Sequence, residues 1–365
     1  MAPGTGHRHG SPPSAQASDP TAIVASTAIE MLCRLYVSAH ATKGDFEQHV
    51  PIAANSAVPV DQETRRLLLQ YFQADFAVGL SLVRTAVTRG WATERQLIAG
   101  VSAMTPDELI GELLASTTLE PKDQAATAKL VALGLADSAS RKASAAKIAR
   151  RNSYSRRDVE FVLAEPDRVH REFSDLLRAC KSKQPVERAT AKRLGELSSE
   201  VGQLIFSQPR ARALVEVTGG WTLKDDADPL VLAPSSAFGS FVFPRLLDDG
   251  RVLLAFGPPR DRDQPPTVSE IAEFARALGN EQRLAILRHT SDEAASGQAL
   301  ARTLGLTTAT VHYHTSLLRS VGLITSARDA HSVVHSLDSE RLLTALAAVA
   351  NSVLSQEVVA ITTKP

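Results

Sequence analysis

From Gln298 to Ile324 the chain reads QALARTLGLTTATVHYHTSLLRSVGLI, and this stretch decides the fold. Its first part predicts a short helix whose apolar residues recur at helical spacing: Leu300, Ala301 and Leu304. Gly305 then suits the left-handed backbone that ends many helices, and Thr307 suits the N-cap of a second helix. Two helices joined by a short turn that contains glycine form a helix-turn-helix, whose second helix can enter the major groove of DNA.

The second helix has a face suited to reading DNA. Val311 and Leu318 anchor it in the core, and a step of about 100° per residue then points six residues away from the core: Ala309, His312, Tyr313, Ser316, Arg319 and Ser320. Most of these side chains can form hydrogen bonds to base edges, and no Asp or Glu between Gln298 and Ala327 repels phosphate. An ordinary amphipathic helical hairpin is the alternative interpretation.

The flanking residues extend this unit to a winged helix. After the second helix, Ile324 to Ala327 and Ser332 to Leu337 predict two strands, with Arg328 to His331 between them as the tip of a wing. Upstream, a helix from Glu281 to His289 is preceded by another with apolar residues at i, i+3, i+4 and i+7: Ile271, Phe274, Ala275 and Leu278. We expect the winged helix-turn-helix domain to span residues 267–357.

The pattern of this domain is similar to a known family. The run ALGNEQRLAIL (Ala277 to Leu287), with the residues after it, resembles the ArsR/SmtB family of bacterial repressors: Leu300-Ala301, Leu304-Gly305-Leu306, Thr310-Val311, His314, Leu317-Leu318-Arg319 and Gly322-Leu323-Ile324. Two departures stand out. Thr315 replaces the usual Leu, and Ala330-His331 replaces the Gly-Arg common at the wing tip. Arg328 or His331 would therefore have to supply the wing's contact with the minor groove.

We therefore predict a sequence-specific transcriptional regulator of ArsR-like type that binds an inverted-repeat operator in double-stranded DNA as a homodimer. The predicted DNA-binding residues come from the second helix and the wing: Thr307, Thr308, Thr310, His312, Tyr313, Ser316, Arg319, Arg328 and His331. A protein-interaction module that retains the fold without binding DNA is the alternative. Eight Lys or Arg against nine Asp or Glu from Pro265 to Pro365 favour that alternative, because nucleic-acid binders are usually basic.

The ArsR/SmtB resemblance also raises metal sensing, which the residues present do not support. The helix that carries thiolate ligands in metal-sensing members has no Cys here, and the last helix lacks the Asp, His and Glu ligands of the zinc-type site. His312 and His314 lie about 200° apart on a helix and cannot share one ion. We expect no cofactor and no metal.

The rest of the chain predicts a mainly α protein with a second domain. Residues 1–20 are expected to be a disordered tail, 21–256 a helical effector and dimerisation domain of unknown ligand, and 257–266 a Pro-rich linker. Helical patterns start at Thr21, extend from Asp61 to Val87, and begin again with a capping box at Thr105. A small β-sheet is predicted from short branched or aromatic runs: Ala213 to Val217, Leu230 to Ala233, Phe238 to Phe243 and Val252 to Phe256.

Composition and motifs restrict the class of protein. The chain has 365 residues and a formal net charge of zero, and Cys33 and Cys180 fit buried thiols of a reducing cytoplasm. We expect a cytoplasmic protein without a membrane segment, and no enzyme, because the phosphate-loop, dinucleotide, zinc-protease and nucleophile-elbow motifs are absent. A small molecule or a protein is the expected effector of the N-terminal domain.

Two further features leave alternatives open. The segment from Arg141 to Arg157 carries seven basic residues and no acid, which fits a solvated surface or a phosphate-binding arm. A broad apolar stripe on the C-terminal helix is explained either by packing on its own domain or by pairing with a second protomer. It consists of Leu342, Leu343, Leu346, Val349, Ala350, Val353 and Leu354.

Overall fold

The computed structural model of the protein describes most of the chain: residues 21–41, 61–73, 77–152, 154–183, 185–186, 188–218, 221–223, 229–238, 242–258, 268–329 and 332–353. The predicted tail at 1–20 and all but the first two residues of the predicted linker at 257–266 lie outside the described residues.

The N-terminal region is built mainly from helices, followed by short strands. In chain order its elements are β1 (Thr21–Ile23), α1 (Thr27–Ala41), α2 (Gln62–Phe72), a 3-10 helix (Val78–Ser81), α3 (Leu82–Thr88), α4 (Glu94–Ala103), α5 (Pro106–Leu113), α6 (Pro121–Ala136), α7 (Ser138–Asn152), α8 (Arg156–Ala164), α9 (Pro166–Lys183), α10 (Arg188–Ser207), α11 (Arg210–Thr218), β2 (Trp221–Leu223), β3 (Leu230–Pro234), β4 (Val242–Leu246) and β5 (Val252–Phe256).

Local signals explain where several of these helices begin. The capping box predicted at Thr105 is present: the Thr105 hydroxyl accepts from the Glu108 amide at 3.2 Å, and the Glu108 carboxylate accepts from the Thr105 amide at 2.8 Å.

The basic segment from Arg141 to Arg157 is helical along α7 and into α8, with Lys142, Lys147 and Arg150 among its exposed cations. It therefore forms a largely solvated surface on these helices.

Two of three sequence-based expectations for this region were wrong. Thr21–Ile23 forms a strand, because its backbone pairs with β3 before α1 begins. The helical pattern predicted from Asp61 to Val87 is present as α2, the 3-10 helix and α3. Ala213 to Val217, predicted as a strand, lies in α11, where tertiary packing of Ala213, Leu214 and Val217 overrides the strand tendency of valine.

The first sheet lies at the centre of the N-terminal region, with strand order β1-β3-β5-β4. The pairs β1–β3 and β3–β5 are parallel, and β4 pairs antiparallel with β5. Every residue of β3 and β5 is buried, as expected for strands covered on both faces. One face, with Val231 and Leu253, packs against the large helical core, and the other, with Leu230 and Leu254, packs against α10 and α11.

The C-terminal region has the elements of a winged helix-turn-helix, which confirms the predicted fold class. They are α12 (Val268–Leu278), α13 (Glu281–Asp292), β6 (Ala295–Ser296), α14 (Gly297–Leu304), α15 (Thr308–Ser320), β7 (Ile324–Asp329), β8 (Ser332–Leu337) and α16 (Ser339–Val353). Phe274, Ile286, Leu300, Val311 and Leu318 belong to one core in which these helices meet.

The second sheet joins the two regions of the chain. Its strand order is β2-β7-β8-β6, so β2 from the N-terminal region runs parallel to β7 of the wing. No pattern in the sequence indicated this pairing. Among the described residues, no helix is both long enough and apolar enough to cross a membrane.

Candidate nucleic-acid interface

The helix-turn-helix is formed by α14 and α15, and local backbone chemistry fixes the turn between them. Gly305 has a φ of 65° and ends α14, as predicted for the left-handed position. Thr307 caps α15 by accepting a hydrogen bond from the Thr310 amide at 3.1 Å. Val311 and Leu318 are fully buried, so one face of α15 is held against the domain core.

The N-terminal end of α15 is open to solvent. Thr307, Thr308 and His312 are exposed, and Thr310 is half-buried. The hydroxyls of Thr307 and Thr310 lie 2.8 Å apart, so both are engaged in the helix cap. The side chains of Thr308 and His312 are therefore the ones that this end presents to an incoming ligand.

His312 lies in an unusual electrostatic setting. Its ring has solvent access, yet protein surrounds it closely enough to lower its pKa, and the cations of Arg319 and Arg245 add to this effect. His312 is therefore neutral at pH 7, and one ring nitrogen can accept a hydrogen bond while the other donates. Arg245 belongs to β4, so the N-terminal region lies within electrostatic range of the recognition surface.

The C-terminal end of α15 is covered. Thr315 is buried, and so are Arg319 and Ser320, which were predicted to point outward, with 6% and 5% of their surface exposed. Helical phase alone placed them on the open face. The wing sheet lies over this end of the helix, and Arg319 Nη1 donates to Ser326 Oγ of β7 at 3.3 Å. Burial lowers the pKa of Arg319 to about 10, which still leaves it charged at pH 7.

Two further predicted contact residues occupy an intermediate position. Tyr313 and Ser316 are half-buried rather than fully exposed. Tyr313 lies with its ring centroid 5.0 Å from that of His314, and Nε2 of His314 donates to Oε1 of Gln282 on α13 at 2.7 Å. His314 therefore joins α15 to α13, a bond that the sequence analysis did not predict.

The wing contains a second buried histidine. His335 on β8 faces Ser326 on β7, with its Nδ1 2.9 Å from Ser326 Oγ. Burial, followed by the nearby charges of Arg319 and His312, lowers the pKa of His335 to about 3. The sequence signal for this strand was the two-residue spacing of Val333 and His335, which places both on one face. Arg328 lies in β7, but the position of its side chain and the whole of His331 are outside the described residues.

Within the described part of the chain, no group of three or more His, Cys, Asp or Glu residues is arranged to hold a metal ion. Cys33 and Cys180 are both free and buried, and burial raises the pKa of each thiol. The polar groups near α15 are thus histidine, hydroxyl and guanidinium groups, which can bond to phosphate oxygens and base edges.

Comparison with known proteins agrees with this geometry. Residues 278–327 match the model of a helix-turn-helix domain family. Over 91 residues the chain is 34% identical to the nodulation protein NolR of Rhizobium meliloti. The aligned region covers 24% of this chain and 75% of NolR. The crystal structure of NolR from Sinorhizobium fredii matches at 31% identity, over 25% of this chain and 96% of that one, and its TM-score of 0.21 is too low to bear on the fold. This chain is a DNA-binding transcription regulator of the helix-turn-helix class, and through its C-terminal domain it belongs to the same family as NolR.

Proposed function

We propose that the protein is a sequence-specific regulator of ArsR-like type that binds an inverted-repeat operator as a homodimer. The observation that carries this proposal is the open N-terminal end of α15, where Thr308 and His312 are exposed on a helix anchored by Val311 and Leu318. Recognition helices of this class contact base edges mainly through their N-terminal residues. In this proposal the N-terminal region does not catalyse a reaction and instead binds an effector. The protein acts in the cytoplasm.

The contacts divide into two kinds. Thr308 and His312 are proposed to reach base edges, because both carry hydrogen-bonding groups and neither is used to hold the fold. Thr307 and Thr310, whose hydroxyls are committed to the cap, are proposed to lie against the phosphate backbone together with the first amides of the helix. Tyr313 and Ser316 would contribute at the margin of the surface.

Selection from a random duplex pool tests the proposal. The purified full chain is mixed with the pool at about 50 mM salt, where phosphate contacts are strong, and the retained DNA is sequenced. We expect an inverted repeat with half-sites centred about 10 base pairs apart, or a multiple of that distance. Retention without any sequence enrichment, or no retention at all, would contradict a sequence-specific regulator.

The dimer is proposed to form through α16. One side of this helix packs on its own domain through Leu342, Ala345 and Val349, whereas Leu343 and Leu346 on another side are each 44% exposed. Apolar residues left open beside a packed face fit pairing with a second protomer, which would set two recognition helices at a fixed distance.

Charge reversal of this exposed side tests the dimer. Leu343→Glu combined with Leu346→Glu should give monomers by size-exclusion chromatography with light scattering, because two carboxylates would be buried without partners. Leu284→Glu on α13 is the matched control, since Leu284 is 48% exposed and lies outside α16. An unchanged dimer in the double variant would show that the interface lies elsewhere.

One observation favours a second candidate, a protein-interaction module with a winged-helix fold. Arg319, the arginine of the recognition helix, is buried, and the C-terminal domain has no excess of basic residues. DNA-binding surfaces usually depend on such charge. The selection experiment separates the two candidates, because an interaction module would retain no particular duplex.

A further inference from the structure

A strand from the N-terminal region occupies the edge of the wing. Trp221, Thr222 and Leu223 of β2 are paired in parallel with Ser326, Ala327 and Arg328 of β7. In the absence of β2, β7 would be the edge strand of the wing sheet, with its outer backbone groups open. The wing therefore does not end in solvent on this side but continues into the other region of the chain.

Apolar packing supports the backbone pairing. Trp221 is fully buried in the cluster formed by α10, α11 and the first sheet, and its amide donates to the Thr218 hydroxyl at the end of α11 at 2.9 Å. Val333 of β8, on the other side of β7, packs partly against the same cluster. The wing is thus attached to the N-terminal region by both a strand pair and a side-chain contact.

The same attachment lies next to the hydrogen bond of Arg319. Trp221 is the register partner of Ser326, and Ser326 is the hydroxyl that accepts from Arg319. Nε of Arg319 is buried without a hydrogen-bond partner, and among the described residues no carboxylate pairs with this guanidinium. A buried cation without a compensating anion is costly, so its position must be enforced by the surrounding contacts.

The buried carboxylate of Glu30 differs from Arg319 in the number of its hydrogen-bond partners. The Glu30 carboxylate is 1% exposed and accepts from Ser235 Oγ at 2.7 Å, from the Ser236 amide at 2.9 Å and from Ser236 Oγ at 2.5 Å. Glu30 is fully satisfied and holds α1 to the loop after β3. Among the described residues, Arg319 instead has one hydrogen bond, at 3.3 Å, and no carboxylate partner.

We propose that β2 is an intramolecular latch on the wing. While β2 is paired with β7, neither Arg319 nor the wing edge can reach phosphates, and release of β2 frees both. The latch rests on the proposed function as a DNA-binding protein. Thr308 and His312 remain exposed in the latched state, so the latch controls affinity for every duplex and leaves the choice of sequence unchanged.

A disulfide across the strand pair tests the latch. Thr222 and Ala327 are direct register partners, and neighbouring strands lie about 4.8 Å apart, within the Cα range that a disulfide spans. The variant Thr222→Cys with Ala327→Cys is titrated on the selected operator and on a random duplex across a salt series, oxidised and reduced. The two single-cysteine variants are the controls, and a non-reducing gel confirms the bond.

We expect the oxidised form to bind both duplexes more weakly than the reduced form by the same factor. The slope of log affinity against log salt should be shallower by about one when oxidised, corresponding to one lost phosphate contact. Equal affinity and equal slope in the two redox states, with the bond confirmed, would overturn the latch.

A variant that weakens the pairing of β2 with β7 gives a second test of the latch. Thr222→Pro removes a backbone donor and should weaken the pairing of β2, which raises affinity for both duplexes. Adding Arg319→Met to this variant should remove that gain. If DNA binding occurs but responds to neither variant, only the latch fails. If no form of the protein retains DNA, the latch and the proposed function both fail.

Discussion

The two ends of the recognition helix differ in what surrounds them. At the N-terminal end, Thr308 and His312 are exposed, and the Thr307 cap holds the helix start. At the C-terminal end, Thr315, Arg319 and Ser320 are buried beneath the wing, whose sheet is itself extended by β2. One helix thus offers hydrogen-bonding groups to solvent at one end and is part of the domain core at the other.

This difference separates two kinds of residue that the sequence alone does not distinguish. His312 and Arg319 are seven residues apart and lie on nearly the same side of an α-helix. Their environments nevertheless differ, because the wing and β2 meet only one end of α15. Substitutions at the buried end should therefore change stability, whereas substitutions at the open end should change binding without changing stability.

The largest effect is expected from the buried anchor of the helix. Leu318→Ala should reduce the free energy of unfolding of the C-terminal domain by about 2–5 kcal/mol, because Leu318 is fully buried and its loss leaves a cavity. Leu284→Ala on α13 is the control, and at a half-exposed site outside the proposed dimer interface it should change stability by less than about 0.5 kcal/mol. Urea denaturation followed by circular dichroism measures both. Similar values for the two variants would contradict the assignment of Leu318 to the core.

A smaller effect is expected from acid, through the buried histidine of the wing. The pKa of His335 is about 3 in the folded chain and about 6.5 when unfolded, so the unfolded state binds the proton first. Stability is complete above about pH 6.5 and falls as the pH drops towards 3, by at most about 1.4 kcal/mol per pH unit for this group.

Replacing this histidine isolates its contribution. His335→Gln should make the loss of stability between about pH 6.5 and 5 less steep by roughly that amount per unit. His289→Gln is the matched control, since His289 is an exposed histidine of α13 in the same domain. Unfolding curves at several pH values give the comparison. An unchanged slope in the His335 variant would show that this ring can be protonated without cost to the fold.

Much of this fold could be predicted from the sequence, because its signals are local. Gly305 and Thr307 fix the turn of the helix-turn-helix through backbone geometry and a side-chain cap, and the structure confirms both. The strands at Leu230 and Val252 were also found, since runs of branched residues between turn residues are typical of buried strands.

The rest depended on contacts between distant parts of the chain. Trp221 pairs with Ser326 across more than a hundred residues, and nothing in either segment specifies the other. Burial of Arg319 follows from the packing of the wing sheet on α15, through Ser326 of β7, and not from helical phase. His312 and its neighbour Arg245 likewise come together only when β4 and α15 are in place. Residues of the candidate site were thus predictable as a helix face, but their division into open and covered ends was not.

The central claim is that His312 and its neighbours at the open end of α15 determine the sequence specificity of DNA binding. The most direct test is a titration of His312→Ala on the selected operator and on a random duplex, with His289→Ala as the exposed control on α13. We predict a loss of about 1–3 kcal/mol on the operator, little change on the random duplex and no change in thermal stability. An equal loss on both duplexes, or no loss on either, would contradict the assignment of sequence choice to this end of the helix.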